Sequence, residues 1–448
     1  MLGMSLPEIL AIEASAAVAG RPGRAKNILV VLEQGGMSHT DTWDPEPHVA
    51  TENRSPHKPI DTNVPGIQFT ELLKKTACVA DKLAVVRSMF HSKPGANGHP
   101  QGTQYMLSGA HPGGPTEMPD IGSVVSLLMG TPAPHLPPYI MVPGNSEQAK
   151  ESRTGFLPAA MRVFKTGGRD LADANWKVNN LSLVQGINES RFHTRRDLLG
   201  QFNDLSSLGD SPAGQTMASF GERAAAMLTS AQTRAAFRVG DEPEQIREDY
   251  GPGHRGHCYL LGRRLIEAGV RFVTVDVRWP RTKEFPNGTN LNWDHHDFIY
   301  SNGTCNLPGA GGGGRGRRGI GTWEMMGSTD QAFAALIEDM HQRGLLDETL
   351  VCFITEFGRT PKINKYQGRD HWTGSYSIAF AGAGVPGGQI IGRSDKEGGY
   401  VADNPHTPED YAATIYEKLG INRSQPLYTS SNRPVFIAHD HDPIAELF

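Results

Sequence analysis

The stretch Leu350–Trp372, LVCFITEFGRTPKINKYQGRDHW, runs from a short apolar and β-branched segment into a cluster of charged and metal-competent side chains. Leu350–Thr355 has the length and composition of a buried strand, which puts Glu356 at its carboxyl end. That edge is where open α/β sheets place their ligands. Gly358 and Pro361 then interrupt regular structure, and a polar loop delivers Asp370 and His371 side by side. Two carboxyl groups and an imidazole on the rim of a sheet form a candidate site. The same residues also allow a plainer arrangement, in which Glu356 pairs with Arg359 while Asp370 and His371 only order the loop. Other parts of the chain have to separate the two.

Working outward, Asp330–Arg343 carries Phe333, Leu336, Ile337 and Met340 on one helical face and leads into that strand. Before it, a helical pattern from about Gln215 to Ala268 stops at Gly269 and is followed by a strand at Arg271–Val277, RFVTVDV. Strand, helix, strand units of this kind build parallel sheets. Further strands are expected at Asn27–Glu33, Leu83–Arg87, Tyr139–Val142 and Ser377–Ala381. Helices are expected at Thr70–Ala80, from about Gln101, at Ile121–Leu128 and at Pro408–Leu419. The last has Thr407 as cap, Pro408 at its first position and Asp410 completing a capping box.

Polar clusters follow several of these strands. Gly35 and Gly36 turn the chain after the first, ahead of Ser38, His39, Asp41 and Asp44. His91, Lys93 and His99 lie in a Gly-rich loop before a helix, whose start favours an anion. Some way beyond Val277 comes NWDHHDF, with Asp294, His295, His296 and Asp297 adjacent. Imidazoles and carboxylates are preferred ligands of zinc and manganese, although a solvated histidine-rich turn reads the same way. If the strands are parallel, these clusters meet on one edge, with His99 joining them. Such a group suits one or two divalent metals (zinc, manganese or calcium), able to polarise a phosphoryl or sulfuryl oxygen and to lower the pKa of bound water toward ~7.

The 448 residues, 38% hydrophobic and 20% charged, provide ample chain for a core. A net charge of -5 argues against a nucleic-acid partner. The four cysteines are scattered and give neither zinc-knuckle spacing nor a disulfide framework. No apolar run of about twenty residues exists to span a membrane. The Ala-rich start contains Ala17-Val18-Ala19, which resembles a cleavage site but lacks a basic beginning. Residues 1–25 are therefore read as the remnant of an export signal and a linker, with an ordinary N-terminal helix as the alternative. One domain is expected over 26–448, with an irregular insertion at 145–215 and a Gly/Arg-rich loop at 309–321 in which Arg315, Arg317 and Arg318 are anion-competent. The glycines of AGAGVPGG, from Ala381, lack dinucleotide-fingerprint spacing, and no helix pattern follows them.

The segments GGMSHTDTWDP, NWDHH, EFGRTP and GRDHW, together with RRLIEAGVRFVTV and TPEDYAATIYEKLGI, resemble the domain of unknown function 1501 family over nearly the whole chain. The resemblance implies an alkaline-phosphatase-like α/β fold: a mostly parallel central sheet flanked by helices, with loop insertions. It implies kinship with sulfatases and alkaline phosphatases, and export through a twin-arginine signal to the periplasm or beyond. By the same comparison Asp294, His296 and His371 match one metal's ligands, Glu356 stands for an acidic ligand of another, and His295 is an alternative to His296. Asp370, His39 and Asp41 complete the metal-competent set. The chain departs from true sulfatases at two points. It has Glu33 and Gln34 where they start with an Asp ligand, and counting back from Leu107–Gly109 places His99 at the nucleophile position.

The expected activity is metal-dependent hydrolysis of a small anionic ester or sulfated glycan. Arg359 or Lys93 would hold the anion, and His99 would serve as ligand or acid/base group. The alternative is a non-catalytic exported binding or scaffold protein that kept the fold without the nucleophile. A carbohydrate-binding protein using the 145–215 insertion ranks behind both.

Overall fold

The computed structural model describes residues 24–46, 48–144, 151–167, 170–173, 175–178, 181, 186–204, 221, 224–277, 293, 294, 296–300 and 319–448. Ala17–Ala19, His295, residues 145–150 and 205–215 with a few positions between them, and residues 309–318 of the Gly/Arg-rich loop lie outside them.

The strands that read as unbroken apolar runs are the ones the molecule covers on both faces. Eight make one sheet: β1 (Asn27–Glu33), β2 (Ala84–Met89), β3 (Tyr139–Val142), β4 (Phe164–Lys165), β5 (Phe272–Val277), β6 (Thr349–Ile354), β7 (Tyr376–Ala381) and β8 (Gln389–Ile391). Their spatial order is β8-β2-β7-β6-β1-β5-β3-β4. β1 lies parallel to β5 and to β6, with Ile28 opposite both Phe272 and Leu350. β3 continues the parallel set beside β5, and β4 beside β3. β7 is antiparallel to both β2 and β6, so β2 and β6 share a direction, and β8 runs parallel to β2. The sheet is mostly parallel, as expected. The reversal at β7 has a consequence: its entry, not its exit, lies at the carboxyl edge of the other seven strands.

Side-chain alternation divides the interior into two layers. Leu29, Val31, Val273, Val275, Val351 and Phe353 pack with helices α3 (His254–Glu267) and α4 (Ser328–Gln342). Ile28, Val30, Leu32, Leu350, Cys352 and Ile354 face α1 (His99–Ser108), α2 (Ile121–Met129) and α5 (Pro408–Lys418). Two covered faces explain why β1 and β6 show no polar alternation, whereas β5 alternates valines with Thr274 and Asp276, both buried. At α5 the expected capping box is present, with Thr407 accepting from the Asp410 N–H and Asp410 from the Thr407 N–H.

Three expectations shift. Thr70–Ala80 is two short 3-10 turns, Glu71–Leu73 and Thr76–Lys82, in place of one helix. Asp330 of α4 takes the Lys75 and Thr76 N–H groups (2.8 and 2.7 Å), which an unbroken helix would have used internally. Glu189–Asp204 is helical although no period marks it, its residues being polar on nearly every side. β8 was not expected, because glycines surround its three residues. No helix among the described residues is long and apolar enough to cross a membrane.

Candidate metal centre

Three loops at the carboxyl edge bring one ring of side chains together. The loop after β2 ends at His99, the first residue of α1. Asp294 and His296 come from the segment beyond β5. Glu356 stands two residues past β6. His371 belongs to a two-stranded ribbon, Gly358–Arg359 against His371–Trp372, that leads into β7. His99, Asp294 and His371 each offer a ligand atom, and these atoms all lie within 4.8 Å of one another.

His296 closes the ring, its Nε2 3.1 Å from Asp294 Oδ1 and 3.0 Å from His371 Nε2. His99 Nε2 lies 3.1 Å and His371 Nε2 3.3 Å from that same carboxylate oxygen.

Each imidazole is oriented from behind. His99 Nδ1 donates to Glu356 Oε1 (2.7 Å), His296 Nδ1 to Asp370 Oδ1 (2.8 Å) and His371 Nδ1 to the Asn97 carbonyl (2.7 Å). A carboxylate or carbonyl can only accept, so Nδ1 carries a proton in all three rings and Nε2 is the atom each turns inward. This is the outer-sphere pattern of histidines that ligate metals. The Nε2 atoms of His296 and His371 face each other at 3.0 Å with a carboxylate oxygen beside them, an arrangement that calls for positive charge between them, from a proton or from a metal ion that takes its place. His99 Nε2 is also buried and makes no aligned hydrogen bond. The residues present therefore fit a divalent cation.

The local field points the same way. Burial opposes charge on His99, but the Asp294 and Glu356 carboxylates outweigh it and lift its pKa to about 9. Burial would raise Asp294, and the three imidazoles and Arg359 instead hold it far below the usual carboxylate range. Glu356, wholly buried, is likewise kept ionised by His99 and by the Gly35 N–H. Burial lowers His371, with Asp294 acting against it.

Other predicted site residues take different places. Glu356 faces the back of His99 and accepts the Gly35 N–H (2.7 Å), so it supports the ring from outside, as Asp370 does at His296. Arg359 is buried, its Nε bonded to Gly36 O (3.0 Å), its Nη1 to Arg369 O (2.9 Å) and its Nη2 to Asp294 (3.0 Å) as well as Gly35 O. Asp41 is not in the ring. It pairs with buried Arg369 (3.0 Å) and accepts from Ser38 (2.5 Å) and Tyr300 (3.1 Å). His39 donates from Nε2 to Gly398 O (2.8 Å). Lys93 is exposed in the loop before α1 and lines a separate cleft. Glu33, at the end of β1, is taken up by Tyr259 (2.8 Å) and Arg255 (3.3 Å).

Three further contributors offer no metal-competent side chain. Asn97 acts through its carbonyl. Phe357 packs 5.2 Å from His99 and 4.6 Å from His371 between ring centroids. Gly35, at φ +102°, lets the first loop meet the Trp293–Asp294 backbone, since a Cβ there would come within 2.6 Å of Trp293 N and closer still to Asp294 N. Only the Gly35-Gly36 pair hinted at such an approach.

Residues 25–448 match the family described as Protein of unknown function (DUF1501). The chain belongs to the DUF1501 family. No curated protein matches this DUF1501 chain in sequence. Among solved structures it is similar to the phosphonate monoester hydrolase of Agrobacterium radiobacter, with a TM-score of 0.38 and 10% identity over 90% of this chain and 74% of that one. It is similar to the PsFucS1 sulfatase from Pseudoalteromonas sp., with a TM-score of 0.31 and 12% identity over 95% and 79% of the two chains. It is also similar to Ps i-CgsB in complex with k-i-k-neocarrahexaose, with a TM-score of 0.35 and 10% identity over 89% and 72%.

Proposed function

We propose that this DUF1501 protein is a metal-dependent hydrolase of sulfate or phosphate esters, with one divalent cation held by His99, Asp294, His296 and His371. One observation carries the reading: three imidazoles, each with its Nδ1 proton bonded outward, turn Nε2 toward a single carboxylate. A set of three imidazoles and a carboxylate favours zinc or manganese over calcium, which prefers oxygen ligands throughout. When bound, such a cation acts as a Lewis acid on a phosphoryl or sulfuryl oxygen and makes water a competent nucleophile near neutral pH.

The chain's own residues bind and orient. Glu356, Asp370 and the Asn97 carbonyl fix the tautomers, and Arg359 holds Asp294 in place while adding positive potential at the rim. Its guanidinium is engaged by three backbone carbonyls, which makes it a positioning group rather than the clamp on the ester. His99 has Nδ1 on Glu356 and Nε2 turned to the ring, so water, not His99, is the acceptor of the transferred group. With Glu33 occupied by Arg255 and Tyr259, the first strand supplies nothing to a second cation.

That last feature also favours the competing reading, a binding or scaffold protein that kept the fold. Elemental analysis of the purified chain, followed by a panel of aryl sulfates and aryl phosphates, separates them. Stoichiometric metal with turnover is expected; metal without turnover of any ester leaves the scaffold, and a chain that takes up no metal removes the centre itself. We also place the protein outside the cytoplasm, on the strength of Ala17-Val18-Ala19. N-terminal sequencing of protein from its native host tests this, and an intact Met1 would be incompatible with it.

A further inference from the structure

A second concavity lies beside the metal centre, and the two share their walls. It is an open cleft of about 580 Å³, lined among others by Phe90, Lys93, Pro94, Trp372, Thr373 and Tyr400. That volume is in the range of small-molecule sites. One wall is the loop that runs on through Asn97 to His99. The other begins at Trp372, the residue after His371. The walls are tied together where the His91 N–H donates to Thr373 O (2.9 Å).

The aromatic wall is made of two packed rings. The Trp372 indole N–H donates to Gly399 O. Trp372 and Tyr400 meet edge to face, with centroids 5.2 Å apart and planes at 69°. Gly374 permits this, because a Cβ there would sit 2.7 Å from Trp372 Nε1 and 3.0 Å from Tyr400 Cδ1. Tyr400 nevertheless remains 59% exposed, the most open of the large apolar side chains among the described residues. Packed against Trp372 on one side and otherwise open to water, the ring offers apolar area to a ligand. Lys93, exposed, supplies the only formal positive charge among the lining residues, and no carboxylate lines the cleft.

We infer that this cleft binds a sugar ring that carries a sulfate or phosphate group, and that the substrate class of the proposed hydrolase is therefore an anionic glycan. A pyranose lays a face of C–H groups on an aromatic ring and keeps its hydroxyls in water, which suits an open platform with the Thr373 hydroxyl at its side. A flat aryl group gains most from an enclosed apolar slot, which this cleft is not. Lys93 matches the anion as a mobile point charge. The inference rests on the hydrolase reading for its biological sense, but the binding it asserts is independent of turnover.

The test is calorimetric titration of the full chain, metal-loaded and metal-stripped, with a sulfated galactan tetrasaccharide, the same tetrasaccharide after desulfation, and sodium sulfate. The sulfated form is expected to bind more tightly than the desulfated form, and sodium sulfate not to compete. Tyr400→Ala should weaken the sulfated form by about tenfold with metal content unchanged, which shows the centre intact. Lys93→Ala should abolish the preference for the sulfated form. No binding of the tetrasaccharide, equal binding by Tyr400→Ala, or binding of p-nitrophenyl sulfate in place of the tetrasaccharide would each overturn the assignment. Glycan binding that survives in a chain without ester turnover defeats the hydrolase reading alone. Turnover of aryl esters without glycan binding defeats this inference alone.

Discussion

Glu356 Oε1 lies 2.7 Å from His99 Nδ1 and 2.7 Å from the Gly35 backbone nitrogen, so one buried carboxylate oxygen joins the loops that follow β1, β2 and β6. The ring of inward-facing nitrogens depends on this joint, although Glu356 itself does not face the ring. A carboxylate in this position fixes which nitrogen carries the proton and raises the basicity of the other. Asp370 does the same for His296 from a more exposed position.

Replacing Glu356 with Gln retains the size and an acceptor oxygen but removes the charge. Zinc affinity should fall by about 10- to 100-fold, the usual consequence of losing such an outer partner. Competition with a chromogenic chelator measures it. An affinity equal to that of the parent chain would mean that His99 is oriented by something other than Glu356.

Asp294 differs from Glu356 because it contacts all three Nε2 atoms directly. Asp294→Ala should lose stoichiometric metal while the sheet stays folded, as the residue lies in a loop beyond the strands. Elemental analysis paired with circular dichroism reads both quantities. A folded variant with undiminished metal would remove Asp294 from the ligand set.

Six of the sheet's eight strands are legible because they are largely covered on both faces and so appear as short, mainly apolar runs; the short edge strands β4 and β8, only partly covered, are not. The expected strands Asn27–Glu33 and Tyr139–Val142 coincide with the observed ones, and Leu350–Thr355 differs by one residue from Thr349–Ile354. The candidates Asp294, His296, His371 and His99 stand out in the sequence because each follows an expected strand, His99 in the loop ahead of an expected helix. The division between inner and outer groups was not. Glu356 and Asp370 carry the same chemistry as Asp294, and only the direction of a side chain tells a ligand from the group behind it. His39 and Asp41 show the converse, since a strand-end cluster of the right composition can be consumed by Arg369 and Tyr300. The reversal of β7 was invisible because strand direction depends on connections that the apolar pattern does not record.

Gly35 and Gly66 allow a matched comparison. Both have positive φ, +102° and +84°, but a Cβ at Gly66 meets nothing within 4 Å, whereas at Gly35 it meets the Trp293 and Asp294 backbone. Gly66→Ala should cost only the backbone conformation, about 1–2 kcal/mol. Gly35→Ala should cost more and should also reduce metal affinity, because Asp294 must move. Urea titrations of the two variants give the first quantity and chelator competition the second. Equal losses of stability with metal binding intact would disprove the close approach.

Asp120, which has no part in the ring, provides a pH-dependent test of the fold. It is wholly buried before α2, accepting from Ser152 Oγ (2.5 Å), from the Arg153 N–H (2.9 Å) and from Tyr139 (3.3 Å). Burial raises its pKa to about 6 from the ordinary 3.8, and these donors only partly offset the effect. Between those values the folded chain binds more protons than the unfolded one, so this residue's contribution to stability is full below pH 3.8 and is lost as pH rises through 6. The difference amounts to roughly 2–3 kcal/mol. Asp120→Asn keeps an acceptor for Arg153 and has no proton to lose. Relative to the parent chain it should therefore gain that amount in urea titrations between about pH 4 and pH 7. Parallel pH profiles for the two chains would show that the Ser152, Arg153 and Tyr139 donors balance the burial of the carboxylate in full.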